Sequence, residues 1–186
     1  MGAKIAAFIS MLIILSGCAN VNASIDKAIK LRNEIEQSNG CAFVATVTAD
    51  YGEKIYVFSM DCTTDKEGNL SFTVIAPETI SGITGTISDA GGSLKFDDKV
   101  LAFQTMADGL LTPVTAPWIL INTLKCGYIK GCTEDENGFD ISADDSYADN
   151  AMHLLIKVRN QLPVSGEIFW NGRRLLTITV EGFRFL

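Results

Sequence analysis

The chain has 186 residues, 47% of them hydrophobic and 20% charged, which is typical of one folded domain and excludes a disordered polymer. Its 15 Lys and Arg against 22 Asp and Glu give a net charge of −7, which disfavours nucleic-acid binding because phosphate recognition needs a basic surface. The single histidine, His153, excludes a multi-histidine zinc site, and we interpret it as structural or surface-exposed. With no nucleophile elbow and no glycine-rich phosphate loop, we predict no enzyme, metal or cofactor.

Residues 1–17 have the pattern of a secretion signal. Lys4 gives a positive start, and the apolar stretch from Ile5 to Leu15 is too short to span a bilayer. It ends in Leu15-Ser16-Gly17-Cys18, which resembles the lipobox of bacterial lipoproteins. The resemblance implies cleavage before Cys18 and acylation of that cysteine, which anchors the protein to the extracytoplasmic face of a bacterial membrane. The alternative is an ordinary signal peptide with an incidental cysteine.

A single domain is predicted over residues 24–186, after a short tether at residues 18–23. Residues 24–38 have an apolar stripe at helical spacing, with Ser24 as N-cap and Asn39-Gly40 as stop, so they predict a helix that packs on a sheet. A meander of six strands is predicted next, at residues 41–49, 54–61, 70–76, 82–88, 93–96 and 99–104.

The pattern then becomes helical, and Pro113 and Pro117 divide it into pieces at residues 106–110 and 117–125. The acidic run at residues 133–149 is interpreted as a solvated loop. Strands resume at residues 152–159, 164–170 and 173–180, and the last two are joined by the hairpin signal Asn171-Gly172.

Four cysteines remain beyond Cys18: Cys41, Cys62, Cys126 and Cys132. An even number outside the cytoplasm predicts disulfides. Folding the first hairpin about Tyr51-Gly52 pairs residues whose numbers sum to 103, which sets Cys41 opposite Cys62 at bridging distance. The other two cysteines then pair or stay free. A zinc site is disfavoured because no C-x-x-C motif is present.

The order of elements and the phrases FTVIAP at residues 72–77 and GEIFWNG at residues 166–172 resemble the LolA/LolB superfamily of lipid- and lipoprotein-handling proteins. More narrowly, the chain is similar to LolA-like bacterial lipoproteins of the clostridial spore-germination type. The resemblance implies an α+β fold that is mostly β, a strongly curved antiparallel half-barrel with helices covering its concave face. It also implies an apolar cavity, with the candidate lining residues Phe43, Phe58, Phe72, Phe103, Trp118, Ile121 and Trp170.

Several predicted strands, such as residues 55–58, are apolar on both faces and so need cover by protein or ligand. We therefore predict a membrane-anchored lipoprotein that binds lipid, acyl chains or another apolar ligand. The candidate lining residues also fit an ordinary core. The alternative function is a non-catalytic interaction module that holds or stabilises a cell-envelope enzyme, such as a cell-wall amidase in spore germination.

Overall fold

The structure is a computed structural model that describes residues 19–107 and 110–186. Its strands are β1 (Cys41–Asp50), β2 (Ile55–Thr64), β3 (Leu70–Ala76), β4 (Thr84–Ser88), β5 (Gly91–Phe96), β6 (Lys99–Phe103), β7 (Met106–Ala107), β8 (Leu110–Leu111), β9 (Tyr128–Asp135), β10 (Gly138–Asp144), β11 (His153–Arg159), β12 (Leu162–Trp170) and β13 (Arg173–Phe185). The α-helices of the described residues are α1 (Ala19–Gln37) and α2 (Ala116–Cys126). Two short 3₁₀ helices span Glu78–Ile80 and Pro113–Thr115.

Eleven strands form one open antiparallel sheet in the order β6-β5-β4-β3-β2-β1-β13-β12-β11-β10-β9. Two meanders, β1–β6 and β9–β13, meet where β1 pairs with β13. Strands β7 and β8 form a separate hairpin. Because β6 and β9 remain as edges, the sheet is an unclosed half-barrel, and the predicted fold class is confirmed.

The two helices pack on the concave face of the sheet. Helix α1 lies against β9 and α2, and α2 contacts β11 and β13. Arg32 of α1 ties the helices together, because its guanidinium donates to the carbonyls of Leu124 at 2.8 Å and Gly127 at 2.6 Å. Helix α1 begins at Ala19, so residues 19–23, which were predicted as part of a tether, belong to the helix.

Burial alternates along the strands and explains why they form. In β10, Phe139, Ile141 and Ala143 are buried, whereas Asp140 and the other intervening residues are only partly so. The interpretation of residues 133–149 as a loop is therefore wrong for β10 and for the end of β9. The acidic side chains lie on the solvent side of a half-buried hairpin, which is the alternation expected of an antiparallel sheet.

The helical piece predicted at residues 106–110 is also wrong. Strands β7 and β8 occupy its ends, and residues 108 and 109 lie outside the described residues. Helix α2, by contrast, extends the predicted piece by one residue at each end. Proline at its start suits a helix, because the first turn needs no backbone donor there.

The first hairpin has a longer connection than predicted. Tyr51 donates its backbone N–H to the carbonyl of Lys54 at 3.0 Å, and Asp50 pairs with Ile55. Paired residues in β1 and β2 therefore sum to 105 rather than 103. This shift of two residues sets Cys62 opposite Phe43 instead of Cys41.

The four cysteines that the structure describes are free thiols. The backbone N–H of Cys41 donates to the Thr64 hydroxyl at 2.8 Å, so Cys41 and Cys62 are diagonal neighbours on the buried face. Diagonal Cβ atoms lie roughly 7 Å apart, beyond disulfide reach, and the predicted pairing is wrong in this register. Cys126 is exposed at the end of α2, and Cys132 is partly buried in β9.

Candidate functional site

An apolar groove lies on the concave face of the half-barrel, with a cavity volume of about 340 Å³. Its lining residues are aromatic, aliphatic or proline: Tyr51, Tyr56, Phe58, Val74, Ile80, Ile83, Leu94, Pro113 and Val114. They come from β2, β3, β5 and the connections between elements, and none comes from α1 or α2. The groove therefore lies beside the helices, over the β2–β5 half of the sheet.

The floor of the groove follows the two-residue period of the strands. Phe58 in β2 and Val74 in β3 are buried on the concave side. Leu94 in β5 is paired with Gly85 in β4 and with Leu101 in β6, so these three positions share one face. A Cβ at Gly85 would lie 2.5 Å from Cζ of Phe72, so glycine lets that ring lie across β4.

One wall of the groove is fixed by Tyr51. Its hydroxyl donates to the carbonyl of Leu111, just before the 3₁₀ helix that supplies Pro113 and Val114. Its ring packs edge-on against Tyr56 at 6.2 Å between centroids. Burial, with a smaller effect of Tyr56, raises the pKa of Tyr51, so the hydroxyl keeps the proton that it donates.

Two further bonds anchor the same wall from the other side. Thr112 donates its backbone N–H to the Thr105 carbonyl at 2.9 Å and its hydroxyl to the Gln104 carbonyl at 2.7 Å. The wall residues are thus held both to the end of β6 and to the β1–β2 connection. A site whose wall is hydrogen-bonded to two other segments of the chain is largely pre-formed for a ligand.

Of the predicted cavity residues, Phe58 alone lines the groove. Phe43, Phe72 and Ile121 are buried in the core, where the Phe43 ring stacks on Phe183 at 5.6 Å. Three more are partly buried and pack against the core: Phe103, Trp118 and Trp170. Most of the aromatic residues predicted to line a cavity therefore lie in or against the ordinary core.

Sequence reasoning missed the other eight lining residues. Tyr56 carried a usable signal, because it lies two residues from Phe58 and therefore on the same face of a strand. Ile80, Ile83 and Pro113 carried none, because they lie in connections whose direction no periodicity fixes.

Apolar surface continues beyond the groove. On the concave side Tyr56 is 48% exposed and Phe96 is 53% exposed. Val57 and Ile75, on the opposite face, are also exposed. Exposed apolar side chains therefore lie on both faces of this half of the sheet.

His153 belongs to a separate polar cluster. Its Nδ1 lies 2.8 Å from Asp144 Oδ1, and Lys130 Nζ lies 3.2 Å from Asp144 Oδ2. Burial alone would raise the pKa of Asp144, but the bonds from His153 and Lys130 together lower it. Within residues 19–107 and 110–186, no group of three His, Cys, Asp or Glu side chains is placed to hold a metal ion.

None of the described helices is long and apolar enough to cross a membrane.

No protein-family model and no curated protein matches the chain. Solved structures similar to it include a putative outer membrane lipoprotein-sorting protein domain from Vibrio parahaemolyticus, with 8% identity, a TM-score of 0.49, and coverage of 88% of this chain and 92% of that one. A LolA superfamily protein from Nitrosomonas europaea has 8% identity, a TM-score of 0.47, and coverage of 86% and 93%. Lipoprotein LppX from Mycobacterium tuberculosis has 11% identity, a TM-score of 0.42, and coverage of 87% and 93%. At these identities and TM-scores the likeness is one of overall fold alone.

Proposed function

We propose that this protein is a membrane-anchored extracytoplasmic lipoprotein that holds the alkyl chain of a lipid or of an acylated protein in the apolar groove. The observation that carries the proposal is the groove itself, about 340 Å³ lined by aromatic, aliphatic and proline residues. Its size lies within the range of about 300 to 1,000 Å³ found for small-molecule sites.

The chemistry of the lining favours a hydrocarbon. Each CH₂ moved from water into such a groove contributes about 0.8 kcal/mol, so affinity rises with chain length. The lining contains no charged residue, and the Tyr51 hydroxyl already donates its hydrogen bond to the Leu111 carbonyl. A charged headgroup would therefore stay at the open side, in water.

Anchoring is supported by the sequence pattern that ends at Cys18. A single acyl chain binds a membrane only marginally, whereas the two or three chains of a bacterial lipoprotein hold it firmly. An anchored protein receives or presents its ligand at one membrane and does not carry it between two.

The ligand test uses neighbouring residues of β2 that point to opposite faces. Tyr56 lines the groove and Val57 faces away, and both side chains are about half exposed. We expect the full chain in mild detergent to bind a fluorescent long-chain fatty acid, Tyr56→Asp to weaken binding at least tenfold, and Val57→Asp to leave it unchanged. A carboxylate in the groove is costly because it must be desolvated beside hydrocarbon.

The native chain is also analysed by native mass spectrometry for a co-purifying lipid that organic extraction removes. Equal binding of the probe by the two variants would show that the probe binds outside the groove. Failure of the native chain to bind any alkyl probe would overturn the proposal.

The second candidate function is an interaction module for a cell-envelope enzyme. The observation that favours it is the exposed apolar surface on the convex face, formed by Ile55, Val57 and Ile75. The same pair of variants separates the two functions, because Val57→Asp disrupts this surface and Tyr56→Asp disrupts the groove.

A further inference from the structure

The two edges of the sheet are protected to different degrees. An edge strand exposes unpaired backbone N–H and C=O groups, and proteins usually cover or charge such edges. Strand β9 is covered by α1, whose Ser24 and Lys27 both bond to the Glu134 carboxylate. Strand β6 carries one charged residue, Lys99 at its start, and pairs with β5 without irregularity.

Strand β6 is also apolar on both faces. Leu101, on the concave face, is 65% exposed, and Val100, on the convex face, is 69% exposed. Among the described residues, none pairs with the outer side of β6, where the sheet ends. A regular edge with apolar side chains on both faces is a pairing site for another strand.

We propose that β6 pairs with β6 of a second copy of this chain, antiparallel and about a two-fold axis beside Leu101. Such pairing joins two half-barrels into one continuous sheet. The contact is isologous, because the same surface is used on both copies.

The backbone of β6 suits this register. Phe96 pairs with Lys99 across a two-residue turn, and residues flanking such a turn bond to each other. Lys99, Leu101 and Phe103 therefore direct their backbone groups toward β5, whereas Val100 and Ala102 direct theirs outward. Centring the pair on Leu101 sets Val100 of each copy opposite Ala102 of the other, so every outward group of these two residues gains a partner.

The side chains and charges suit a second copy as well. Leu101 meets its own equivalent, and Lys99 lies opposite Phe103. The two Lys99 residues are four strand positions apart, about 14 Å, which exceeds the Debye length of about 8 Å at physiological salt. No like charges of β6 face each other, so the pairing carries no local electrostatic penalty.

The contact area sets the expected strength. A five-residue edge buries less than the roughly 1,600 Å² of a standard stable interface, so the dimer is weak and reversible. We expect sedimentation velocity of the full chain in mild detergent to show monomer at low concentration and dimer at high concentration.

The decisive variants place a charge of either sign beside the two-fold axis. Leu101→Lys and Leu101→Glu each place like charges in direct contact, so each variant alone is expected to stay monomeric. Their mixture sets Lys against Glu and is expected to restore dimerisation, detected when tagged Leu101→Lys captures untagged Leu101→Glu. Leu101 is exposed, so both variants should keep the thermal stability of the native chain.

Val57→Lys is the matched control, because it removes an exposed apolar side chain of the same sheet at a distance from β6. It is expected to dimerise like the native chain. A native chain that stays monomeric at every concentration would overturn the proposal, even if it captured some other protein. Dimerisation of Leu101→Lys alone, its loss in Val57→Lys, or failure of the charge-swapped mixture would do so too.

Discussion

Cys62 is a thiol enclosed in the middle of the sheet, opposite Phe43. Its side chain has no solvent exposure, and burial, with a smaller effect of the Asp61 charge, raises its pKa to about 12. The thiolate is the form that reacts with disulfides and alkylating reagents. Cys62 is therefore inert in the folded protein at neutral pH, unlike the exposed Cys126.

The raised pKa of Cys62 predicts a loss of stability at alkaline pH. Its stabilising effect is fully present below its ordinary pKa of 9.0 and is lost as the pH rises toward about 12, because the unfolded chain releases the proton first. The free energy of unfolding falls by up to about 1.4 kcal/mol per pH unit. Denaturant titrations at several pH values in that window should show that the free energy of unfolding falls faster with pH in the native chain than in Cys62→Val. An equal fall with pH in the two proteins would contradict the prediction.

At the scale of elements, hydrogen bonds from single side chains to distant parts of the chain fix the positions of helices and connections. The periodic pattern of apolar residues does not fix those positions. Arg32 joins α1 to the end of α2, and Tyr51 joins the β1–β2 connection to the segment before α2. The second bond matters for the proposed site, because it holds the wall formed by Pro113 and Val114. The shape of the groove thus depends on an atom remote in the chain from that wall.

Tyr51→Phe tests this role of the Tyr51 hydroxyl. It leaves the Leu111 carbonyl without this donor, so we expect the free energy of unfolding to fall by about 1 kcal/mol. Binding of the fluorescent fatty acid should weaken severalfold because the wall is no longer fixed. Tyr56→Phe is the matched control in the same ring pair, and it should bind the probe like the native chain. Unchanged binding by Tyr51→Phe would mean that the wall is held by Thr112 alone.

At the scale of the whole molecule, the anchor and the groove are built from separate parts of the chain. The proposed lipidation site, Cys18, directly precedes α1, whereas no residue of α1 or α2 lines the groove. Release from the membrane should therefore leave ligand binding intact.

Cys18→Ala tests the proposed anchor. We expect the native chain to sediment with membranes and to carry the mass of attached acyl chains, and Cys18→Ala to lose both properties while still binding the fatty acid probe. Cys126→Ala, which removes an exposed cysteine elsewhere, should stay on the membrane. A native chain without an acyl modification would contradict the lipobox interpretation.

Much of the fold could be predicted where short-range pattern and turn chemistry agree. Strand β3 has the predicted bounds, and Asn171-Gly172 forms the connection between β12 and β13. The acidic run before residue 150 predicts a loop by its charge, whereas the alternation of Phe139, Ile141 and Ala143 makes it a strand. The register of the first hairpin was missed because Asp50 accepts a bond from the Gly52 N–H and stabilises a longer turn.

The site was less predictable than the sheet. Phe58 was found because a strand fixes where its side chain points, whereas Phe43 and Phe72, with the same pattern, are core. Which face of a strand is buried follows from periodicity. Whether a buried face meets helices or an open groove depends on elements far away in the chain.

The sequence by itself determined the mostly β, antiparallel composition of the described residues and, in outline, the helices Ala19–Gln37 and Ala116–Cys126, because each depends on residues close together in the chain. The proposed secretion signal that ends at Cys18 likewise rests on a local pattern. The tertiary structure alone decided which apolar side chains line the groove and which sheet edge is covered. Those outcomes arise from contacts such as Tyr51 with Leu111 and Lys27 with Glu134. Such contacts join residues far apart in sequence, so no local pattern encodes them.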